Sequence, residues 1–215
     1  MDFSVIDVEL VLKLLILLLI GMGPKIALVP FLEKTKHLDA ETQRAVGRQM
    51  VMTAVVTAVI LFATGWFLMR LLHITGGAVA VAGSIIFAIL AINMVSGPGK
   101  KVEEAEAGGP EDPKHIAIYP LAIPYLLNPV GITLLIVSSG EVVSIASAGL
   151  VLGLVLLVGA LDYLVFANID KLSKRMSPVS LVVSEVVFGI LLTAVAVQLM
   201  VYGLNSLGII ATTGH

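Results

Sequence analysis

Three charged residues and one amide lie inside stretches of the chain that are otherwise strongly apolar. These are Lys25, Asn128, Asp162 and Glu185. A charge at the centre of a membrane helix costs about 2.5–3.5 kcal/mol on insertion scales, so such groups usually face the protein interior and pair. A carboxylate in low dielectric can also take up a proton. Asp162 and Glu185 are therefore candidates for coupling or gating by H⁺ or Na⁺.

Each of these charges also has a simpler interpretation. Asp162 lies nine residues before Lys171 and could be a solvated helix end. Glu185 could belong to a structural ion pair, and Lys25 could pair with either carboxylate. Lys13 is most simply a side chain that extends to the membrane surface.

Two short stretches, "GMGPKIALVP" and "LLNPVGITLL", place helix breakers in apolar sequence. Proline removes a backbone N–H, and glycine lets another backbone or a ligand approach closely. In hydrocarbon, irregular backbone is tolerated only where it is buried in protein or lines a wet cavity. The stretches predict a solute site, with the alternative that they are plain proline kinks. The predicted solute-binding residues are Gly23, Pro24, Lys25, Asn128, Pro129, Gly131 and Thr133.

The composition argues against an enzyme. The chain has no cysteine, and none of its four histidines lies in a long apolar run. A His-Glu-x-x-His zinc motif is absent, and a Ser–His dyad would need a histidine in the membrane. We predict no catalytic residues, no metal and no cofactor. The net charge of -2 argues against nucleic acid as a partner.

The elements that must position these residues are membrane-spanning helices. The 215 residues are 58% hydrophobic and 13% charged, with a mean hydropathy of +1.06. A bilayer core about 30 Å thick needs roughly 20 apolar residues of helix. The fold class predicted is all-α and transmembrane, in a lipid bilayer. Six segments qualify, at about 6–32, 49–71, 76–96, 116–139, 142–166 and 179–207.

The basic residues predict an orientation. Ten of the thirteen Lys and Arg residues fall in the loops after the first, third and fifth segments. Because basic loops stay on the cytoplasmic side, both termini are expected outside. The acidic N-terminal residues do not resemble the basic start of a signal peptide.

A Gly-, Pro- and charge-rich stretch, 97–115, divides the chain into halves at 1–96 and 116–215. The halves resemble each other: "SIIFAILA" in the third segment aligns with "EVVFGILL" in the sixth, and Pro24 aligns with Pro129. Three spans per half is an odd number, so the two repeats would be inverted. The first helix of each repeat would be broken near the midplane, as in many secondary transporters.

Longer motifs resemble a known family. "YPLAIPYLLNPVGIT" (119–133) is similar to the second signature of the MarC family of membrane proteins, and "GPKIALVPFLEKT" (23–35) resembles its first. The first signature departs from the pattern, because Gly23 and Lys25 flank Pro24 where the family often has Asp or Asn. The resemblance implies a prokaryotic plasma-membrane protein with six helices in inverted repeats. It is distantly similar to LysE-type exporters, and one branch is associated with small neutral amino acids.

Small residues within the segments have an ordinary structural explanation. Gly149, Gly153 and Gly159 would let the fifth segment pack closely against its neighbours. Small polar side chains would contact neighbouring helices through hydrogen bonds. These are Ser84, Asn93, Thr133 and Ser138.

The function predicted is a secondary transporter of a small polar solute, such as an amino acid or related metabolite, by alternating access. The alternatives are a non-transporting membrane scaffold or regulatory protein, and a channel. Substrate, direction of transport and coupling ion stay open, and a homo-oligomer is compatible with the sequence.

Overall fold

A computed structural model describes residues 7–96, 112–142, 144–169 and 178–210. Side chains at position 94 and at most positions of 178–188, Glu185 included, fall outside the description. Over the described ranges the regular structure is helical and contains no strand. The helices are α1 Val8–Met22, α2 Pro24–Thr35, α3 Ala40–Leu71, α4 Gly76–Ser96, α5 Pro113–Ile116, α6 Pro129–Glu141, α7 Ile145–Ala167 and α8 Pro178–Ser206. An irregular helical segment, Ala117–Leu126, joins α5 to α6.

Within the described ranges, five stretches of helix are long and apolar enough to cross a membrane. The first is α1 with α2, 28 residues together, and the others lie in α3, α4, α7 and α8. A sixth is reached when the pair Pro113–Leu126 and Pro129–Glu141, bent by 70° at its break, counts as one span. The described part of the chain therefore has five or six candidate spans, and the six predicted segments correspond to the larger number.

The start of α3 departs from the predicted boundary. The helix begins at Ala40, nine residues before the predicted position 49, so Arg44 and Arg48 lie on a helix rather than in a loop. The cause is Asp39, whose carboxylate accepts hydrogen bonds from the backbone N–H groups of Glu41 and Thr42. Its hydrogen bonds with Thr42 lower the pKa of Asp39. Capping of this kind fixes a helix end where hydropathy gives no signal.

The outer surface of the bundle is apolar, as a lipid-facing surface must be. Large hydrophobic side chains on α3, α4 and α7 are about half exposed, among them Ile60, Ile89 and Leu156. Arg70 lies over the ring of Trp66, 5.2 Å from its centroid, at the end of α3. Trp with a nearby cation is typical of a helix end at the membrane–water interface.

The helices pack with two distinguishable ends. At one end, called the terminal face, α1 begins, α6 ends and α3 turns into α4. At the other, called the basic face, α2 turns into α3 and the rings of Phe31 and Phe166 stack at 5.0 Å. α8 packs mainly on α4, whereas α3 packs on α6 and α7, and α1 also packs on α6 and α7. α8 also meets the end of α6, where the Tyr202 hydroxyl lies 3.2 Å from a carboxylate oxygen of Glu141.

Candidate functional site

The first helical break lies at Gly23. The backbone there is extended, with φ −83° and ψ 162°, so α1 ends at Met22 and α2 begins at Pro24. Proline is tolerated at the first position of a helix because its missing N–H has no partner there anyway. A side chain at Gly23 would meet the carbonyl of Leu19. Glycine and proline together therefore divide the first span into two half-helices.

The second break lies at Leu127 and Asn128, both extended. Pro129 again takes the first position of the following helix. The Asn128 side chain caps α6, since its Oδ1 accepts hydrogen bonds from the N–H groups of Val130 at 2.9 Å and Gly131 at 3.2 Å. Both predicted breaks are present, and the second carries its own side-chain cap.

The two breaks are in direct contact. The backbone N–H of Asn128 donates to the carbonyl of Gly21 at 2.9 Å, and its Nδ2 donates to the carbonyl of Ile20 at 2.6 Å. Asn128 is fully buried. Its Oδ1 and both its nitrogens form hydrogen bonds with backbone groups. One residue thus caps the start of α6 and the end of α1. We call Ile20, Gly21, Asn128, Val130 and Gly131 the junction.

A pair of glycines makes this contact possible. A Cβ on Gly21 would overlap the backbone of Gly131, and a Cβ on Gly131 would overlap the carbonyl of Gly21. The close approach expected at Gly131 therefore exists, and the approaching group is protein backbone. Gly21 was missed by the sequence reasoning, although its spacing in "GMGP", two residues before Gly23, could have indicated it.

A cavity of about 570 Å³ lies between α1, α6 and α8. We call it the cleft. It begins beside the junction, where Ile20 and Val130 line it, and ends at the terminal face. Thr133, the predicted solute-binding residue one turn beyond Val130, also lines it and packs against Gly83 of α4. The cleft therefore connects the broken helices with one end of the bundle.

Polar side chains collect at the terminal-face end of the cleft. Lys13 and Glu141 line it, together with Gln198 and Tyr202 from α8. The Tyr202 hydroxyl lies 3.2 Å from a Glu141 carboxylate oxygen and donates to it, and Lys13 is paired with Glu9 one turn earlier on α1. Sequence reasoning placed Lys13 at the membrane edge but missed Glu141, Gln198 and Tyr202. Glu141 and Tyr202 lie in the last turns of their helices, where polar residues are ordinary.

Asp162 lies at a different place, inside the bundle on α7. It is fully buried, and neither carboxylate oxygen has a hydrogen-bond partner within the described structure. The solvated helix end considered above is therefore wrong. Two neighbouring residues of α7 show what surrounds Asp162. One turn before it, Gly159 lies near Met22 and Val55. One turn after it, Phe166 packs against Phe31. Asp162 thus packs near the first break and is not among the residues that line the cleft.

The remaining predicted residues are not brought to the cleft. Lys25 is exposed in the first turn of α2, and Pro24 is half-buried. In the described structure, Lys25 donates no hydrogen bond to the carboxylate oxygens of Asp162. The side chain of Glu185 falls outside the described part of the chain. Pro129 is buried within the α6 cap.

The packing predictions for small residues hold only in part. Gly159 packs against Val55, as expected. Gly149 and Gly153 are exposed, and a Cβ added to either would have no neighbouring atom within 4 Å. Asn93 is exposed, and the buried Ser84 hydroxyl donates to the Val81 carbonyl of its own helix. Other close helix crossings use Gly77 with Gly203, and Gly65, where an added Cβ would meet Ser139 and Ile136.

Apolar helices of spanning length and a lipid-facing apolar surface define a multi-pass integral membrane protein. Residues 8–207 match the model of the MarC family, described as MarC family integral membrane protein, and the chain belongs to that family. It is 25% identical to a UPF0056 membrane protein of Pyrococcus horikoshii, over 90% of this chain and 96% of the relative. It is 26% identical to one of Methanocaldococcus jannaschii, over 86% and 90% respectively. No solved structure matches the chain significantly.

Proposed function

We propose that this chain is a secondary transporter of a small polar solute, an amino acid or related metabolite, that works by alternating access. The observation that carries the proposal is the junction: two broken spans meet there, at the inner end of a cavity. Paired broken helices at such a contact are the sequence and structural pattern of transporter sites. The proposed setting is a prokaryotic plasma membrane with both termini outside.

The order of the half-helices supports an inverted repeat of six spans. In the first span the half nearer the terminal face comes first, as α1, and α2 follows. In the bent pair the half nearer the basic face comes first, as α5 with Ala117–Leu126, and α6 follows. Rocking one repeat against the other about the junction would open the cleft and then close it. A channel would not need this duplicated break.

Asp162 is the proposed coupling group, with Glu185 as the second candidate. An ionised carboxylate without partners costs several kcal/mol inside a protein. A movement that opens the first break would give Asp162 access to water and to H⁺ or Na⁺. Its neutralisation and recharging could then accompany each transport cycle. Gly23, Pro24 and Lys25 would line that path.

Uptake into proteoliposomes tests this function. A panel of amino acids is offered to purified protein with and without pH and Na⁺ gradients, and saturable uptake driven by one gradient is expected. Asp162→Asn should still exchange solute across the membrane. A pH or Na⁺ gradient should accelerate its uptake at least about tenfold less than it accelerates uptake by the unsubstituted protein. Asp39→Asn, an exposed capping position where Asn also caps well, is the matched control. If no solute is bound or moved under any gradient, the proposal is wrong.

A further inference from the structure

Asp162 lies close to the basic face but is closed off from it. α7 runs from the terminal face to the basic face and ends at Ala167, so Asp162 lies roughly 8 Å before its end. Its side chain is fully buried, and neither carboxylate oxygen has a hydrogen-bond partner within the described structure. The cleft extends to the terminal face, and Asp162 is not among the residues that line it. A cation that binds Asp162 therefore needs an entrance of its own.

Two stacked rings cover Asp162 on the side of the basic face. Phe166, one turn after Asp162 on α7, packs against Phe31 of α2 with ring centroids 5.0 Å apart. Both side chains are fully buried. Gly47 of α3 lies against the pair, since an added Cβ would be 3.0 Å from the Cβ of Phe166 and 3.6 Å from the Cζ of Phe31. Three helices thus meet at one aromatic contact between Asp162 and the basic face.

Among these three helices, α2 is the one best placed to move. α3 and α7 are continuous helices of 32 and 23 residues, whereas α2 is a half-helix of 12. Gly23 precedes it with extended backbone and without a side-chain cap. At its other end, Gln43 Nε2 donates to the Thr35 carbonyl at 2.7 Å and ties that end to α3. A tilt of α2 between these two ends would separate Phe31 from Phe166 without breaking a helix.

The described surroundings of Asp162 supply no hydrogen-bonded partner of opposite charge. The charged residues of α1 lie at its start, towards the terminal face. On α2, α3 and α7 the titratable groups closest to the level of Asp162 are exposed or half-buried: Lys25, Glu33, Arg44, Arg48 and Tyr163. An ionised carboxylate is costly in such a place unless it is neutralised. The position is therefore suited to the uptake of H⁺ or Na⁺.

We infer that the coupling cation reaches Asp162 from the basic face, and that α2 is the lid over this route, closed by the contact of Phe31 with Phe166. The inference rests on the proposed transport function and gives it a cation entrance separate from the cleft. In this structure the lid is closed while the cleft extends to the opposite face. Tilting of α2 about Gly23 would also move Pro24 and Lys25, beside the first break.

A thiol at position 162 reports whether water reaches the site. The chain has no native cysteine, so Asp162→Cys carries a single thiol. An impermeant methanethiosulfonate reagent is applied to right-side-out and to inside-out membrane vesicles. His37→Cys and His73→Cys mark the basic and terminal faces. Asp162→Cys should react slowly, and only in the vesicles in which His37→Cys reacts.

Two phenylalanines provide the test of the lid and its control. Adding Phe31→Ala to Asp162→Cys removes the stacked ring and should speed the reaction at least about tenfold. Phe31→Leu keeps an apolar side chain without the ring and should give a smaller increase. Phe62→Ala removes another buried side chain, from the terminal-face half of α3, and should leave the rate unchanged. Reaction from the terminal face, or equal rates in the Phe31 and Phe62 variants, would overturn the inference.

The unsubstituted carboxyl distinguishes the two cations. Dicyclohexylcarbodiimide modifies protonated carboxyl groups, and site-resolved mass spectrometry follows its reaction with Asp162 in purified protein. Slowing by NaCl at constant pH identifies Na⁺, and dependence on pH alone identifies H⁺. Modification that neither changes overturns the inference.

The outcomes separate the access route from the function on which it rests. Saturable, gradient-driven uptake in a protein whose position 162 is reached only from the terminal face overturns the inference and leaves the transporter standing. A basic-face route governed by Phe31, without uptake of any solute, keeps the route and refutes the transport function.

Discussion

Asn128 shows that one residue can form hydrogen bonds with several backbone groups in a bundle with few polar side chains. It engages backbone at Ile20, Gly21, Val130 and Gly131 from a fully buried position. Buried backbone groups without partners cost roughly 1–3 kcal/mol each. Asn128 therefore stabilises the backbone of both breaks, and any part it has in binding solute must accompany a rearrangement of the junction.

Replacing Asn128 with alanine is expected to destabilise the protein by about 2–4 kcal/mol. The change leaves the Ile20 carbonyl and the Val130 and Gly131 N–H groups without their side-chain partner. Reversible unfolding in mixed micelles measures the difference. Asn168→Ala, at an exposed cap of α7 where Nδ2 bonds the Leu164 carbonyl, should cost less than about 1 kcal/mol. If the two variants lost the same free energy of unfolding, the role assigned to Asn128 would be contradicted.

At the scale of elements, glycines decide where helices approach most closely. Gly21 meets Gly131 at the junction, and Gly77 meets Gly203 where α4 crosses α8. Without a hydrophobic driving force between helices in lipid, close van der Waals packing of this kind is a main source of association. The sequence alone does not identify these pairs. Gly149 and Gly153 also lie on an apolar helix, one turn apart, yet a Cβ added to either would have no atom within 4 Å.

Alanine at Gly131 is expected to force the two breaks apart. The new Cβ would overlap the backbone of Gly21, at a cost of about 3 kcal/mol for overpacking. Thermal unfolding in detergent should show a clear fall in midpoint and a loss of solute uptake. Gly153→Ala adds the same atom on the open face of α7 and should not lower the midpoint. Retained stability in Gly131→Ala would show that the junction can open without cost.

At the scale of the whole molecule, Lys34, Lys36 and Lys114 lie at the basic face, near the ends of α2 and α5, while Lys13 and Arg70 lie towards the terminal face. The asymmetry predicts that the basic face is cytoplasmic. The turns on the two faces carry exposed histidines: His37 between α2 and α3, and His73 between α3 and α4.

The absence of native cysteine makes that orientation directly testable. A membrane-impermeant maleimide added to intact cells should label His73→Cys at once. His37→Cys, the same substitution on the other face, should react only after the membrane is made permeable. Labelling of His37→Cys in intact cells would place the basic face outside and reverse the proposed topology.

The sequence predicted the spans and both breaks because apolar length and proline are local signals. It could not predict the hydrogen bond from Asn128 to Ile20, because those residues are 108 positions apart. The cleft was missed for the same reason: its wall combines three helices, each of which looks like an ordinary span. Asp162 was predicted as a candidate, but its complete burial depends on the packing of α7 against α1 and α3.

The separation of 108 residues between Asn128 and Ile20 also has a consequence for biosynthesis. A ribosome adds about 5–20 residues per second, so roughly 5–20 s pass between the synthesis of the first break and that of the residue that fastens it. The first span must enter the membrane with its Ile20 and Gly21 carbonyls still lacking that partner. Assembly of the amino-terminal half is therefore completed only by the half made after it.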